Sequence, residues 1–405
     1  MGTKRILVIP DACFTDGSGA SVSMVVLNIL REMGHQGALF THEVSNMISM
    51  PDGTLVFPKR PFTSLANLIS SPYKRNLIRV IEAFKPDIVF TIGSVTNKPV
   101  CYWRIARNRG IGVISMVFMQ DFFCSNFYAN DQNGLCVRCL EDGFSRVLTG
   151  PCHPFKGNTI QRLLRALLAI ITRNLFKREL PHIGAIITSS RQQMGFFVRY
   201  GIPVERCYII PLFFNGDKLK RYNPSLGNYY VFVAQDRIEK GIHLLKEVLC
   251  NCNNHIRLIA AFSSDIKEEV WEKYGLRPFV DNGILEVKTN CSWKTDLGEL
   301  MAGCRGVVNP SIWPTTTEFV LLEALGLKKP VFTFNVGIHA EIIESGINGF
   351  VADTPSQMAI QMNRFFDDDA LYYEVSINAY HLYERLTNRI AWEKHLATVI
   401  DDVCK

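Results

Sequence analysis

The feature that most limits the fold is a rhythm: a short apolar run, then a helical stretch, repeated along the chain and restarted once. Residues 4–10 read as a buried strand, and 38–41, 87–92, 112–117, 185–190 and 207–211 follow it, with helical segments between. From 21 to 34 the apolar residues Val22, Val25, Val26, Ile29 and Leu30 recur at the spacing of one helix face. The stretch 215–227 is polar, rich in Gly, Asp, Lys, Pro and Ser, and lacks a period, so it reads as an interdomain linker. The rhythm then resumes at 229–234, 256–260, 285–287, 306–308 and 330–333. Strands alternating with helices imply an α/β fold, each sheet parallel and covered on both faces. Two such units are expected, at 1–215 and 216–368, followed by a helical tail at 369–405. The length of 405 residues also exceeds one ordinary core.

Composition narrows the partners. An apolar fraction of 47% with 20% charged residues describes a folded globular chain. A net charge of +6 suits an anionic substrate or an anionic membrane surface and is too small to argue for nucleic acid. The opening segment reads as a strand rather than a signal peptide. The longest apolar runs, such as 166–171, fall far short of the roughly 20 residues that cross a bilayer. With 12 cysteines and no export signal, the expectation is a cytoplasmic chain with reduced thiols.

Residues 307–325 are the richest stretch chemically. Val307 to Asn309 reads as strand, the next residues as a polar loop through Thr315, Thr316 and Thr317, and a helix starts near Glu318. Such a start leaves backbone N–H groups free, here from Phe319 and Val320 onward, at the positive end of the helix dipole. That suits a phosphate or diphosphate. Glu318 and Glu323 lie among Phe, Val, Leu and Ala, where a carboxylate needs a partner such as a sugar or ribose hydroxyl pair. An ordinary surface βα unit with an acid in its first turn fits the periodicity as well.

The run Pro310-Ser311-Ile312-Trp313-Pro314, then Val320 to Leu325, Lys329-Pro330-Val331, Gly337, Glu341 and 345–350, resembles the donor-binding half of family-four GT-B glycosyltransferases. The resemblance implies two Rossmann-like domains facing a central cleft, a C-terminal helical tail that crosses back onto the first domain, and a nucleotide-diphosphate sugar bound mainly by the second. It implies retaining transfer to a hydroxyl of a glycan or lipid-linked acceptor, without a catalytic metal. It places Glu323 on the nucleotide ribose and nearby backbone amides on the diphosphate. The family's first Glu, which touches the donor sugar, is replaced by Thr315; the hydroxyls of 315–317 or Glu318 would take its role.

Residues 232–242 extend the likeness. Lys240 and Gly241 match a family Lys-Gly that contacts the diphosphate, while Gln235 stands at the family's Arg position and Arg237 lies two residues on. Those cations would stabilise the leaving nucleotide diphosphate. The turn Gly17-Ser18-Gly19 follows a strand and opens a helix; Val22 leaves a dinucleotide fingerprint incomplete. It reads as a tight turn, or, by resemblance, as a loop in which Gly19 lets backbone approach the donor diphosphate. Gln120 and Asp121 occupy a strand end where the family often has a His; Asp121 would orient the acceptor hydroxyl or cap the loop.

Cys124, Cys136, Cys139 and Cys152 contain one Cys-x2-Cys, which admits a structural zinc site or a loop of reduced thiols. Their surroundings resemble an acceptor-side loop of a polysaccharide-assembly branch of the same family. Residues 158–177 mix Arg162, Arg165, Arg173 and Lys177 with Leu and Ile, as in a packed amphipathic helix or one that lies on an anionic bilayer at the inner face of the membrane. His35, His243 and His339 read as structural or surface residues. The rival functions are a nucleotide-sugar epimerase, a catalytically silent nucleotide-sugar-binding homologue, and, more remotely, a nicotinamide oxidoreductase with Glu43 on its ribose.

Overall fold

The computed structural model describes residues 2–10, 18–41, 55–59, 70–95, 98–131, 134–149, 158–314 and 318–405. The chain forms two units, one of Met1–Phe213 with Arg389–Lys405 and one of Phe214–Asn388.

Unit 1 is built on a seven-stranded sheet. Its strands are β1 (Arg5–Ile9), β2 (Gln36–Thr41), β3 (Leu55–Pro58), β4 (Ile88–Gly93), β5 (Gly112–Val117), β8 (Ala185–Thr188) and β9 (Cys207–Ile209). They pair in parallel in the order β3-β2-β1-β4-β5-β8-β9. A two-stranded hairpin, β6 (Asn130–Asp131) with β7 (Gly134–Leu135), stands apart. The central strands are buried along their whole length and mostly apolar because helices cover both faces; the hydroxyl of Thr91 in β4 is satisfied by that of Ser115 in β5 at 2.9 Å. Helix Ser18–Glu32 buries Val22, Val26, Ile29 and Leu30, the face read from the spacing. Strand β3 was not legible: it is a mostly exposed edge strand of four residues ending in Pro58.

Unit 2 carries β10 (Tyr230–Ala234), β11 (Leu258–Phe262), β12 (Leu285–Lys288), β13 (Gly306–Asn309), β14 (Val331–Phe334) and β15 (Phe350–Ala352). All pair in parallel, in the order β12-β11-β10-β13-β14-β15. In both sheets the strand order reverses beside the first strand, the position at which parallel α/β sheets bind their ligands.

Two organisational expectations change in detail. The stretch read as a linker is built into unit 2: Phe214 and Leu219 are buried in its core, and a 3-10 turn spans Asp217–Arg221. The tail joins the first unit only in its last part. Helix Asp369–Leu386 belongs to unit 2, whereas helix Arg389–Val403 belongs to unit 1. There Trp392 donates its indole N–H to the Pro211 carbonyl at 2.8 Å and Tyr208 donates its hydroxyl to Asp402 at 2.9 Å. A Cβ on Gly112 would lie 2.6 Å from the Val403 side chain, so the bare backbone admits that helix.

Candidate functional site

The strand-order reversal of unit 2, where a sheet of this kind opens its ligand crevice, lies at the ends of β10 and β13. From β10 the chain runs through Gln235 and Arg237, both exposed, to a 3-10 turn at Ile238–Lys240. Gly241 follows in the left-handed region at φ +78, and a Cβ there would lie 1.9 Å from the Pro310 carbonyl oxygen. Only glycine permits that approach. The Ile312 N–H donates to the Glu239 carbonyl at 3.1 Å, which ties the β10 loop to the β13 loop.

This docking brings Lys240 onto Glu318, an ion pair across the crevice. Glu318 is the cap residue of helix Phe319–Gly326, with extended backbone angles that end the loop and begin the helix. Its side chain is buried and every direction is answered. Asn309, the last residue of β13, donates from Nδ2 at 2.6 Å; the Ser311 hydroxyl donates at 3.3 Å; and His339 Nε2 lies 3.4 Å away. Thr333 of β14 hydrogen-bonds the other ring nitrogen of His339 at 2.8 Å and fixes the ring. Burial opposes ionisation of Glu318, yet Lys240 and His339 outweigh it and hold the carboxyl well below its ordinary range. The Lys240 ammonium also lies 5.4 Å from the centre of the Trp313 ring.

One turn further along the helix, Glu323 is buried too, and its partner is Lys218 rather than Lys240. Burial pushes the Glu323 carboxyl up, opposed by Lys218 and by the Trp293 indole that hydrogen-bonds it. Phe319 and Val320 are half-buried in the first turn, and Thr315, Thr316 and Thr317 lie outside the described residues. Arg237 turns to Glu239 at 2.5 Å.

The structure therefore unites Lys240 and Glu318, and sets Glu323 nearby with a cation of its own. His339, read from sequence as structural or surface, is a buried partner of Glu318. Asn309 and Ser311 were visible only as part of a motif. Lys218 carried no signal at all, since its stretch had neither period nor motif.

In unit 1, Gly19 lies in the first turn of helix Ser18–Glu32, and Gly17 is outside the described residues. Gln120 and Asp121, beyond the end of β5, are fully buried. Asp121 accepts from the Ser94 hydroxyl and from the Val95 N–H at 3.3 Å, so it pins the chain leaving β4. Gln120 accepts from Gln193 Nε2 at 3.4 Å. These contacts make both residues braces of the loops at that end of the sheet.

Three of the four cysteines read as a zinc site, Cys124, Cys136 and Cys139, are among the described residues. Among the described residues no three His, Cys, Asp or Glu side chains converge as a metal requires. Cys124 is buried, donates its thiol to Asn126 at 2.8 Å, and is pushed by burial up to about 12, far from a ready thiolate. Cys136 and Cys139 are half-buried, and Cys152 is outside the described residues. The described residues thus do not assemble the zinc site that the spacing admitted.

Residues 228–368 match the family model described as glycosyl transferases group 1. No curated protein matches the chain. Solved structures do. Anabaena HepE in complex with UDP and glucose is 16% identical, with a TM-score of 0.64 over 98% of this chain and 99% of that one. Sucrose-phosphate synthase from Thermosynechococcus elongatus is 13% identical, with a TM-score of 0.69 over 98% of each chain. WaaG, a glycosyltransferase involved in lipopolysaccharide biosynthesis, is 17% identical, with a TM-score of 0.62 over 95% of this chain and 98% of that one. The fold is that of GT-B glycosyltransferases, with two Rossmann-like domains, and the match to the glycosyltransferase family model lies within the second unit.

Proposed function

We propose that the protein transfers a sugar, with retention of configuration, from a nucleotide-diphosphate donor to a hydroxyl of a glycan or lipid-linked acceptor in surface polysaccharide synthesis. The observation that supports this reading best is the crevice of unit 2, inside the matched segment. A helix start, a lysine and two buried carboxylates meet there at the strand-order reversal. In this reading Glu323 accepts hydrogen bonds from the vicinal hydroxyls of the ribose. The free N–H groups of Phe319 and Val320, with Lys240, face the diphosphate. Glu318 and the hydroxyls of 315–317 serve the donor sugar. Lys240, Arg237 and the helix start supply the positive charge that the leaving diphosphate needs, and no metal ion enters the scheme. HepE, held with UDP and glucose, supports a UDP-sugar as the first donor to try.

The acceptor side is read from unit 1. Helix Thr159–Glu179 opens with a capping box between Asn158 and Gln161. It buries Ala166, Arg173 and Phe176 and turns the opposite stripe, Ile160, Leu163, Leu164, Leu167 and Ile171, outward; Ile160 is 71% exposed and Leu164 60%. Its only acid, Glu179, is buried and paired with Arg104 at 3.2 Å. Unit 1 holds 27 Lys and Arg against 16 Asp and Glu, while unit 2 holds 17 against 22. An apolar stripe without exposed acid on a basic unit fits an anionic bilayer carrying the acceptor. No helix among the described residues is long and apolar enough to cross a membrane.

The test is a thermal-shift screen against nucleotide sugars, because a ligand that binds only the folded chain raises its melting temperature. A UDP-sugar is expected to raise it, and Glu323→Ala to abolish the rise. An undiminished rise in the variant would refute the ribose assignment. A donor that binds but is neither transferred nor hydrolysed would refute the transferase reading.

A further inference from the structure

Lys218 reaches the donor crevice from a stretch that reads as linker. Phe214 and Leu219, on either side of it, are buried in the core of unit 2, so the turn Asp217–Arg221 is anchored at both ends. The Lys218 side chain is 36% exposed and its ammonium ends on Glu323. It lies 4.3 Å from the centre of the Trp293 ring and 5.5 Å from that of Phe214. Trp293 is itself fixed: Tyr222 packs its ring edge against it at 5.7 Å and donates its hydroxyl to the Trp293 carbonyl at 3.3 Å. A Cβ on Gly298 would lie 2.0 Å from the Tyr222 ring, so that packing needs the glycine. The cation thus sits in a prepared seat of two aromatic faces and one carboxylate.

We propose that Lys218 is a positioning residue for the nucleoside end of the donor: seated on Trp293 and Phe214, its ammonium keeps the Glu323 carboxylate charged and in one orientation for the vicinal hydroxyls of the ribose. The inference rests on the reading of Glu323 as the ribose-binding group. A carboxylate accepts from both hydroxyls of a diol, whereas a protonated carboxyl has surrendered part of that capacity to its own proton. Burial favours the protonated form, and Lys218 is the charge that opposes it. Elements packed about the helix carry further titratable groups, among them Asp217, Lys220 and Arg221 on the same turn, Tyr372, Tyr380 and Tyr383 on helix Asp369–Leu386, and Glu318 at the helix start. Among the described residues, the side chains that oppose the effect of burial on the Glu323 carboxyl are Lys218 and Trp293.

The experiment is isothermal titration of the full chain with UDP, GDP, ADP, CDP and dTDP, continued with the tightest binder from about pH 6 to about pH 9. Wild type is compared with Lys218→Met, Lys218→Arg and Glu323→Gln, each checked for a wild-type far-UV spectrum. Lys218→Met is expected to bind about tenfold more weakly at the acid end and to recover as pH rises, because ionisation of Glu323 moves to higher pH. Lys218→Arg, which keeps the charge, should stay within about threefold of wild type. Weak binding by Glu323→Gln together with wild-type affinity of Lys218→Met at every pH overturns the inference and leaves the ribose reading standing. Tighter binding by Lys218→Met overturns it too, since Lys218 would then be a plug. Wild-type affinity of Glu323→Gln, or no binding by wild type of any of the five, removes the ribose reading itself.

Discussion

The Lys240–Glu318 pair allows a double-mutant test of how the crevice is held. In Lys240→Met the Glu318 carboxylate stays buried without its lysine. Removing one member of a buried pair costs about 3–5 kcal/mol when the survivor is left uncompensated. Here the survivor keeps hydrogen bonds from Asn309 and Ser311 and has His339 at 3.4 Å, and Lys240 is a quarter exposed, so water already screens part of the attraction. We therefore expect a loss of about 2 kcal/mol, seen as a fall of about 4–8 °C in the melting of a unit of this size. Glu318→Gln should cost about the same, and the double variant clearly less than the sum, with a coupling of about 1–2 kcal/mol. The pH dependence follows from the sign of the shift. Glu318 is held below its ordinary value in the folded chain, so its contribution is complete above the unfolded value near 4.5 and is lost as pH falls through the folded one. The gap between wild type and Lys240→Met should accordingly narrow on acidification. Urea unfolding followed by tryptophan fluorescence measures all of this, since Trp271, Trp293 and Trp313 lie in unit 2. Simple additivity of the two substitutions, or a gap that widens toward acid, would refute the argument.

Asp121→Ala should lower the stability of unit 1 by about 2–4 kcal/mol, because Ser94 and Val95 lose their buried acceptor; calorimetry showing an unaltered first unit would contradict the bracing role. Lys329 is fully buried on the carbonyls of Ser225 and Cys304 and the Tyr372 hydroxyl, and burial lowers its ammonium to about 8. The unfolded chain then holds more protons above that value, so the stability of wild type relative to Lys329→Met should rise by about 3 kcal/mol between about pH 8 and about pH 10.5. Parallel pH curves for the two proteins would count against it. Flotation with vesicles containing about 30 mol% phosphatidylglycerol should capture wild type, and Leu163→Ser, Leu164→Ser and Leu167→Ser combined should reduce capture about tenfold. Equal capture, or no dependence on the anionic lipid, would remove the bilayer from the reading.

Sequence alone determined what depends on neighbours along the chain. The apolar runs of β1, β4, β5 and β13 announced themselves because a strand buried on both faces has few polar positions to dilute it. The start of helix Phe319–Gly326 near Glu318 was legible because loop chemistry and apolar helix chemistry change within a few residues. Strands β3 and β15 were not, since four mostly exposed residues or three residues are too few to show a period. The pairing of charges was decided only by tertiary structure. Lys240 meets Glu318 because Gly241 lets one loop lie on the carbonyl of Pro310, and Lys218 meets Glu323 across 105 positions because Phe214 and Leu219 are drawn into the core. A buried carboxylate takes whichever cation the packing brings within reach, and no local pattern encodes that choice.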